Sequence, residues 1–78
     1  VLLLHRTDLR LARWLSRQDA AVLHRTQQDI AQELGTAREV VSRTLKSFER
    51  SGWIALERGA IQIRDARALA AHGAQAEL

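Results

Sequence analysis

From Thr26 to Trp53 the apolar positions fall into two runs of helical period separated by a single glycine. In the first run, Ile30 and Leu34 lie four residues apart on one face, with small Ala31 beside them where another helix can approach closely. Thr26 stands at the expected N-cap and Asp29 at N3, the pair that forms a capping box. Gly35 follows the last apolar residue, where a C-terminal cap of positive φ is expected. Thr36 and Glu39 repeat the capping-box spacing, so Thr36 is predicted to cap the second helix. Along that helix, at roughly 100° per residue, Val41, Leu45 and Phe48 gather within roughly 60° of one another. Ser51-Gly52 then supplies a glycine stop. Two helices joined by so little chain must cross steeply, and residues 26–51 read as a helix-turn-helix.

The flanking pattern completes a fold. In WIALERGAIQI, Trp53 and Ile54 open a strand, Ile61 and Ile63 alternate along its return, and Glu57-Arg58-Gly59-Ala60 forms the turn, so residues 53–63 read as a β-wing. Upstream, Leu11, Ala12, Trp14 and Leu15 make the apolar stripe of a helix that Thr7 or Asp8 can cap. Its aliphatic neighbours assign Trp14 to the core and not to a stacking platform. Gln18-Asp19-Ala20 breaks this pattern, Val22-Leu23-His24 fits a short strand, and ARALAAH after Asp65 fits a terminal helix ending at Gly73 with a frayed tail. The predicted architecture is mainly α with a small β-wing. It is a winged helix-turn-helix of three core helices, a hairpin and a short C-terminal helix, forming one domain over residues 1–78.

The polar side of the second helix carries the functional signal. Opposite its apolar stripe, Glu39, Arg43, Lys46 and Arg50 occupy a band of similar width, flanked by Ser42 and Arg38. A solvated helix face mixes signs for i,i+4 pairing, whereas this band holds three cations and one anion. A helix anchored by apolar residues behind and cationic in front is what a major groove admits, which points to sequence-specific binding of double-stranded DNA. Near the helix start, Glu39 can accept a hydrogen bond from cytosine N4, and one turn later the planar fork of Arg43 can grip guanine O6 and N7. Thr26, Gln27, Thr36, Lys46 and Arg50 are candidates for phosphate contact. Arg58, near the wing tip, either reaches a phosphate or is a solvated turn residue. Arg6, Arg10, Arg13 and Arg17 form a cationic edge, either solvated or touching the flank of a bent duplex. Two competing interpretations stay open on the residues alone. One is a solvated face with a Glu39–Arg43 salt bridge of little energetic value. The other is a protein-interaction or dimerisation module whose Arg43, Lys46 and Arg50 meet an acidic partner.

Composition narrows the alternatives. The 78 residues include 12 Lys+Arg and 9 Asp+Glu, a net charge of +3, so the clustering of cations matters more than their total. One domain is the ceiling at this length, and a hydrophobic fraction of 46% is enough for a small core. With no Cys, disulfides, thiolate catalysis and iron–sulfur chemistry are excluded within this segment. His5, His24 and His72 lack zinc-ligand spacing, and no phosphate loop or nucleophile elbow is present. Asp29 and Glu33 fit the solvent side of an amphipathic helix better than a catalytic pair. Neither an enzyme nor a cofactor is expected of this segment. The opening VLLL is too short for a membrane span or a signal h-region, so a cytoplasmic location with no membrane partner is expected.

The run IAQELGTAREVVSRTL, followed by a glycine and a short hairpin, resembles the winged helix-turn-helix of the Crp/Fnr transcription regulators. The resemblance extends from about Leu9 to Ile63 and is most specific at Arg-Glu-x-x-Ser-Arg, residues 38 to 43. It implies a bacterial regulator reading a TGA-containing half-site, with Arg38 and Arg43 on guanines, Glu39 on the cytosine opposite, and Ser42 assisting as in the Fnr-like branch. Two departures carry expectations. Ala37 and Val40 replace hydroxyls that bond phosphate in many members, and Thr44 replaces a commonly aliphatic residue, which is expected to loosen packing behind the helix. Family members also carry an N-terminal sensory β-roll and a long dimerisation helix. The chain, opening at Val1, therefore reads as a C-terminal domain taken from a longer regulator. The parent is expected to be a homodimer with its recognition helices about one helical turn (~34 Å) apart. Relatives touch RNA polymerase through the loop before the helix-turn-helix. Here that stretch, roughly Gln18 to Arg25, is short, which leaves RNA polymerase open as a partner.

Overall fold

Three apolar helix stripes and one face of a small sheet meet in a single core. The computed structural model describes residues 6–77; VLLL and His5 lie outside the described residues. Helix α1 (Thr7–Ser16) contributes Leu11, Ala12 and Leu15, α2 (Gln27–Leu34) Ile30 and Ala31, and α3 (Arg38–Arg50) Val41, Leu45 and Phe48. Strands β1 (Val22–Leu23), β2 (Ile54–Glu57) and β3 (Ala60–Ile63) form an antiparallel sheet in the order β1-β3-β2, and Leu23, Ile54 and Ile61 complete the core from it. Helix α4 (Ala66–Gly73) adds Leu69. Val41 and Leu45 are wholly enclosed, so the wheel drawn from sequence assigned the inner face of α3 correctly.

Local hydrogen bonding sets the angle between α2 and α3. The capping box at the start of α2 is formed: Thr26 Oγ1 accepts from the Asp29 N–H, and the Asp29 carboxylate accepts from the Thr26 N–H. At the other end Gly35 takes φ 69°, its N–H reaching the Gln32 carbonyl and the Thr36 N–H the Ala31 carbonyl. This is a Schellman closure, which satisfies the last carbonyls of α2 and turns the chain sharply within two residues. It also overturns the capping role expected of Thr36. Because the Thr36 N–H is committed to α2, α3 begins one residue later with Ala37 as its N-cap, and no side chain caps it. Similarly, neither Thr7 nor Asp8 caps α1. Arg6 holds the N-cap position, and the Asp8 carboxylate is drawn instead to Arg6 and His72.

The wing is a two-residue hairpin. Glu57 pairs with Ala60 and Ile54 with Ile63, leaving Arg58-Gly59 as the loop. Its base is tied to α3, where the Trp53 N–H donates to the Phe48 carbonyl while the Arg64 and Asp65 N–H groups both reach the Trp53 carbonyl. Asp65 then caps α4 by accepting from the Ala68 N–H.

Gly73 serves packing. A Cβ there would lie 2.5 Å from the backbone N and Cα of Arg13, so α4 can rest on α1 only if this residue has no side chain. Beyond it the chain continues as a 3-10 turn (Ala74–Glu77), where a frayed tail was expected. Trp14 sits at the rim of the core, half-buried, with Nε1 donating to Glu33 and the Arg25 guanidinium 5.3 Å above its ring centre.

Candidate nucleic-acid interface

The outer surface of α3 is built by the same periodicity that buries its inner surface. Arg38, Glu39, Arg43, Lys46 and Arg50 are exposed and Ser42 is half-exposed. Arg38, Glu39, Ser42, Arg43 and Lys46 line one shallow groove along the helix. From Arg38 to Lys46 the axis advances ~12 Å at 1.5 Å per residue, which matches three to four base steps of ~3.4 Å. Among the described residues, no hydrogen bond or ion pair engages any of these side chains or that of Arg50. In particular, the Glu39–Arg43 salt bridge that would make this an ordinary solvated face is not formed.

A second, larger depression separates the start of α2 from the wing. Thr26, Gln27 and Gln28 line one wall, Leu56, Glu57 and Gly59–Ile61 the other, and Arg38 stands at the junction with the first groove. The structure thus assembles Arg38, Glu39, Ser42, Arg43 and Lys46 with one another, and Thr26 and Gln27 with the wing. Thr36, Arg50 and Arg58 line neither depression; Arg50 and Arg58 are nevertheless exposed, on the last turn of α3 and at the hairpin tip.

Behind this face, Thr44 is half-buried and its hydroxyl donates to the Val40 carbonyl at 2.7 Å. The hydroxyl is therefore satisfied within the helix, and Thr44 lines an open depression with Ser47, Phe48, Trp53 and His72 on that side.

Away from α3 several charged groups are matched internally. Partial burial pushes the Asp8 carboxyl up, but the Arg6 and His72 hydrogen bonds outweigh it and hold its pKa below the ordinary carboxylate range. An ionised carboxylate only accepts, so His72 Nε2 is the donor, at 3.0 Å. The His72 ring also packs against Phe48 and Trp53, with ring centres 5.9 and 5.3 Å away. On the opposite flank, hydrogen bonds from Arg25 and then Trp14 hold Glu33 below its usual pKa. Arg10, expected to lie on a free cationic edge, donates to the Leu34 carbonyl at the C-terminus of α2, where a cation also favours the helix dipole.

One residue escaped the reading from sequence. Glu49 Oε2 accepts the N–H of Leu56, on the outer side of β2, at 2.9 Å. Its signal was an isolated acid between Lys46 and Arg50, set roughly 80° from Val41 on the wheel and so outside the cationic band.

Comparison with known proteins agrees with this geometry. Residues 9–72 match the model of the Crp-like helix-turn-helix domain. Over 66 residues the chain is 38% identical to a CRP-like cAMP-activated global transcriptional regulator of Mycobacterium tuberculosis, a match covering 80% of this chain and 30% of that protein. Among solved structures, a Crp/Fnr-family transcriptional regulator from Thermus thermophilus superimposes with a TM-score of 0.80 at 28% identity, covering 88% of this chain and 41% of that one. A Crp/Fnr-family structure from Eubacterium rectale gives a TM-score of 0.83 at 32% identity, covering 92% and 36%. The chain therefore spans less than half the length of each of these relatives. These are regulators and not enzymes, and the chain belongs with them: it is a Crp-like winged helix-turn-helix DNA-binding domain of the Crp/Fnr family.

Proposed function

We propose that this domain binds double-stranded DNA sequence-specifically by laying α3 in the major groove of a TGA-containing half-site. The observation that carries this reading is the outer face of α3, where Arg38, Glu39, Ser42, Arg43, Lys46 and Arg50 have no partner among the described residues although the opposite face is buried. A helix of ~10–12 Å diameter fits a major groove of ~12 Å width, so the exposed face meets base edges. Arg38 and Arg43 read guanines through bidentate contacts with O6 and N7, Glu39 accepts from cytosine N4, and Ser42 assists between them. Lys46 and Arg50, further along the helix, meet the backbone. Thr26, Gln27 and Thr36 approach the phosphates from the start of α2 and the turn, and Arg58 does so from the wing. Ala37 and Val40 offer no hydroxyl there, so the contact with phosphate rests on the remaining residues.

In a longer regulator two such domains, related by a two-fold axis, would present their α3 helices about one helical turn (~34 Å) apart. The same reading extends to RNA polymerase through the segment before α2, where Asp19, Ala20, Ala21 and Val22 are exposed. It also extends to the cytoplasm as the compartment that holds bacterial DNA. No helix of the described residues is long and apolar enough to cross a membrane.

The direct test is titration of a labelled duplex at 50 to 200 mM salt. With Lys46, Arg50 and Arg58 on phosphates at ~0.9 released counterion each, log K should fall against log salt with a slope of about −3 or steeper. Binding that ignores salt, or that an acidic peptide displaces as readily as DNA, would favour a protein-docking role.

A further inference from the structure

We propose that Glu49 is a positioning residue that sets the distance between the wing and the recognition helix, and hence whether Arg58 can reach the DNA backbone. This rests on the DNA-binding reading given above.

An acid on this helix needs a physical reason. Glu49 lies between Lys46 and Arg50, one turn from residues proposed to face phosphate, where an unassigned carboxylate would only repel DNA. Its carboxylate is assigned: Oε2 accepts the Leu56 N–H at 2.9 Å. Leu56 sits in β2, which is the sheet edge on that side and, among the described residues, pairs with β3 alone. Its N–H points away from the ladder, and without Glu49 it would be an open edge group. The bond therefore ties the middle of the wing's outer strand to the last turn of α3. Other links between hairpin and helix lie at its base, at Trp53. On its far side the hairpin is held by β1, which pairs with β3 at Ile61 and Gln62. On the α3 side β2 is the free edge, and a hairpin tied to the helix only at its base can tilt toward or away from it, which moves the tip most. The tip carries Arg58. The flank of α3 that Glu49 shares with Arg38 is the flank facing the wing, since Arg38 lines the same depression as Leu56 and Gly59.

Glutamine and alanine separate this role from simple repulsion. Glu49→Gln removes the charge but keeps a carbonyl acceptor, whereas Glu49→Ala removes both. In the free domain, exchange of the Leu56 amide should quicken at least tenfold in Glu49→Ala and stay near the wild-type rate in Glu49→Gln. Unchanged exchange in the alanine variant would overturn the tie. On DNA, Arg58→Ala should cost about eightfold in affinity at 0.1 M salt, the loss of one phosphate contact. That penalty should persist in the Glu49→Gln background and vanish in Glu49→Ala. Its persistence in Glu49→Ala would overturn the positioning role. An absent penalty in the otherwise wild-type domain would instead overturn the phosphate-contacting reading of the wing on which the role rests. If glutamine and alanine raise DNA affinity equally, Glu49 acts only as a repelling charge and the proposal fails.

Discussion

The two sides of this domain use similar residues in opposite ways. On the α1/α4 side and along α2, several charged groups meet partners within the fold: Asp8 holds Arg6 and His72, Glu33 holds Arg25 and Trp14, and Arg10 closes the end of α2, while Arg17 and Arg67 are exposed singly. On the outer face of α3, Arg38, Glu39, Arg43, Lys46 and Arg50 find no partner among the described residues. Composition does not distinguish the two sides; the gathering of unpartnered charged groups along one helix face does. An internally matched ion pair near the surface stabilises a protein only slightly. A cation left unmatched and held on a rigid, well-anchored helix is available to an external anion at little conformational cost. The difference supports the proposal that function lies on α3 and structure on the flank.

Substitutions can break this contrast, and the largest effects should come from the scaffold that anchors α3. Leu45→Ala removes a fully enclosed side chain and should destabilise the fold by about 2–5 kcal/mol, measured by denaturant unfolding. Gly73→Ala gains helix propensity of up to about 1 kcal/mol but drives a methyl into the Arg13 backbone, which cannot yield as a side-chain tip can. A net loss of about 1–3 kcal/mol is expected, and a melting temperature at or above wild type would refute the close approach of α4 to α1.

Variants of the outer face should leave folding untouched and act on DNA. Arg43→Ala should cost about 1–3 kcal/mol and relax preference at one guanine, whereas Lys46→Ala should weaken all sequences alike and reduce the salt slope by about one. Thermal melts of both should overlay the wild type. Smallest of all should be Asp8→Asn, compared by melting temperature across pH. Because the Asp8 pKa is depressed in the folded state, its contribution is present above the unfolded value of about 3.9 and disappears as pH falls through the lower folded value. Wild type and variant should therefore differ at neutral pH and converge on acidification. A gap that widens in acid would reverse the assigned sign.

What could be seen in the sequence was what is encoded locally. The box at Thr26 and Asp29, the glycine at 35, the stripe at 41, 45 and 48, and the alternation across the wing each involve residues within a few positions of one another. The helix-turn-helix and hairpin followed from them. Thr36 misled because two local signals competed for one residue, and the closure of α2 prevailed over the cap of α3. The remaining features join distant parts of the chain. Asp8 and His72 are 64 residues apart, Arg10 and Leu34 are 24, and the close approach of Gly73 to Arg13 exists only once α4 folds back over α1. No periodicity reports such pairings. Of the proposed DNA-contacting set, exposure and grouping on α3 were legible, because helix geometry alone fixes which side chains share a face. The bond from Glu49 to Leu56 was not, since it requires the relative placement of helix and sheet.

The claim that α3 reads bases is tested most directly by selecting preferred sequences from random duplexes with the wild-type domain and with Arg43→Ala in parallel. Enrichment of a TGA-containing half-site by the wild type, with preference lost at a single guanine in the variant, is the expected result. Identical enrichment profiles for the two proteins, or no enrichment by the wild type, would contradict base reading by this helix.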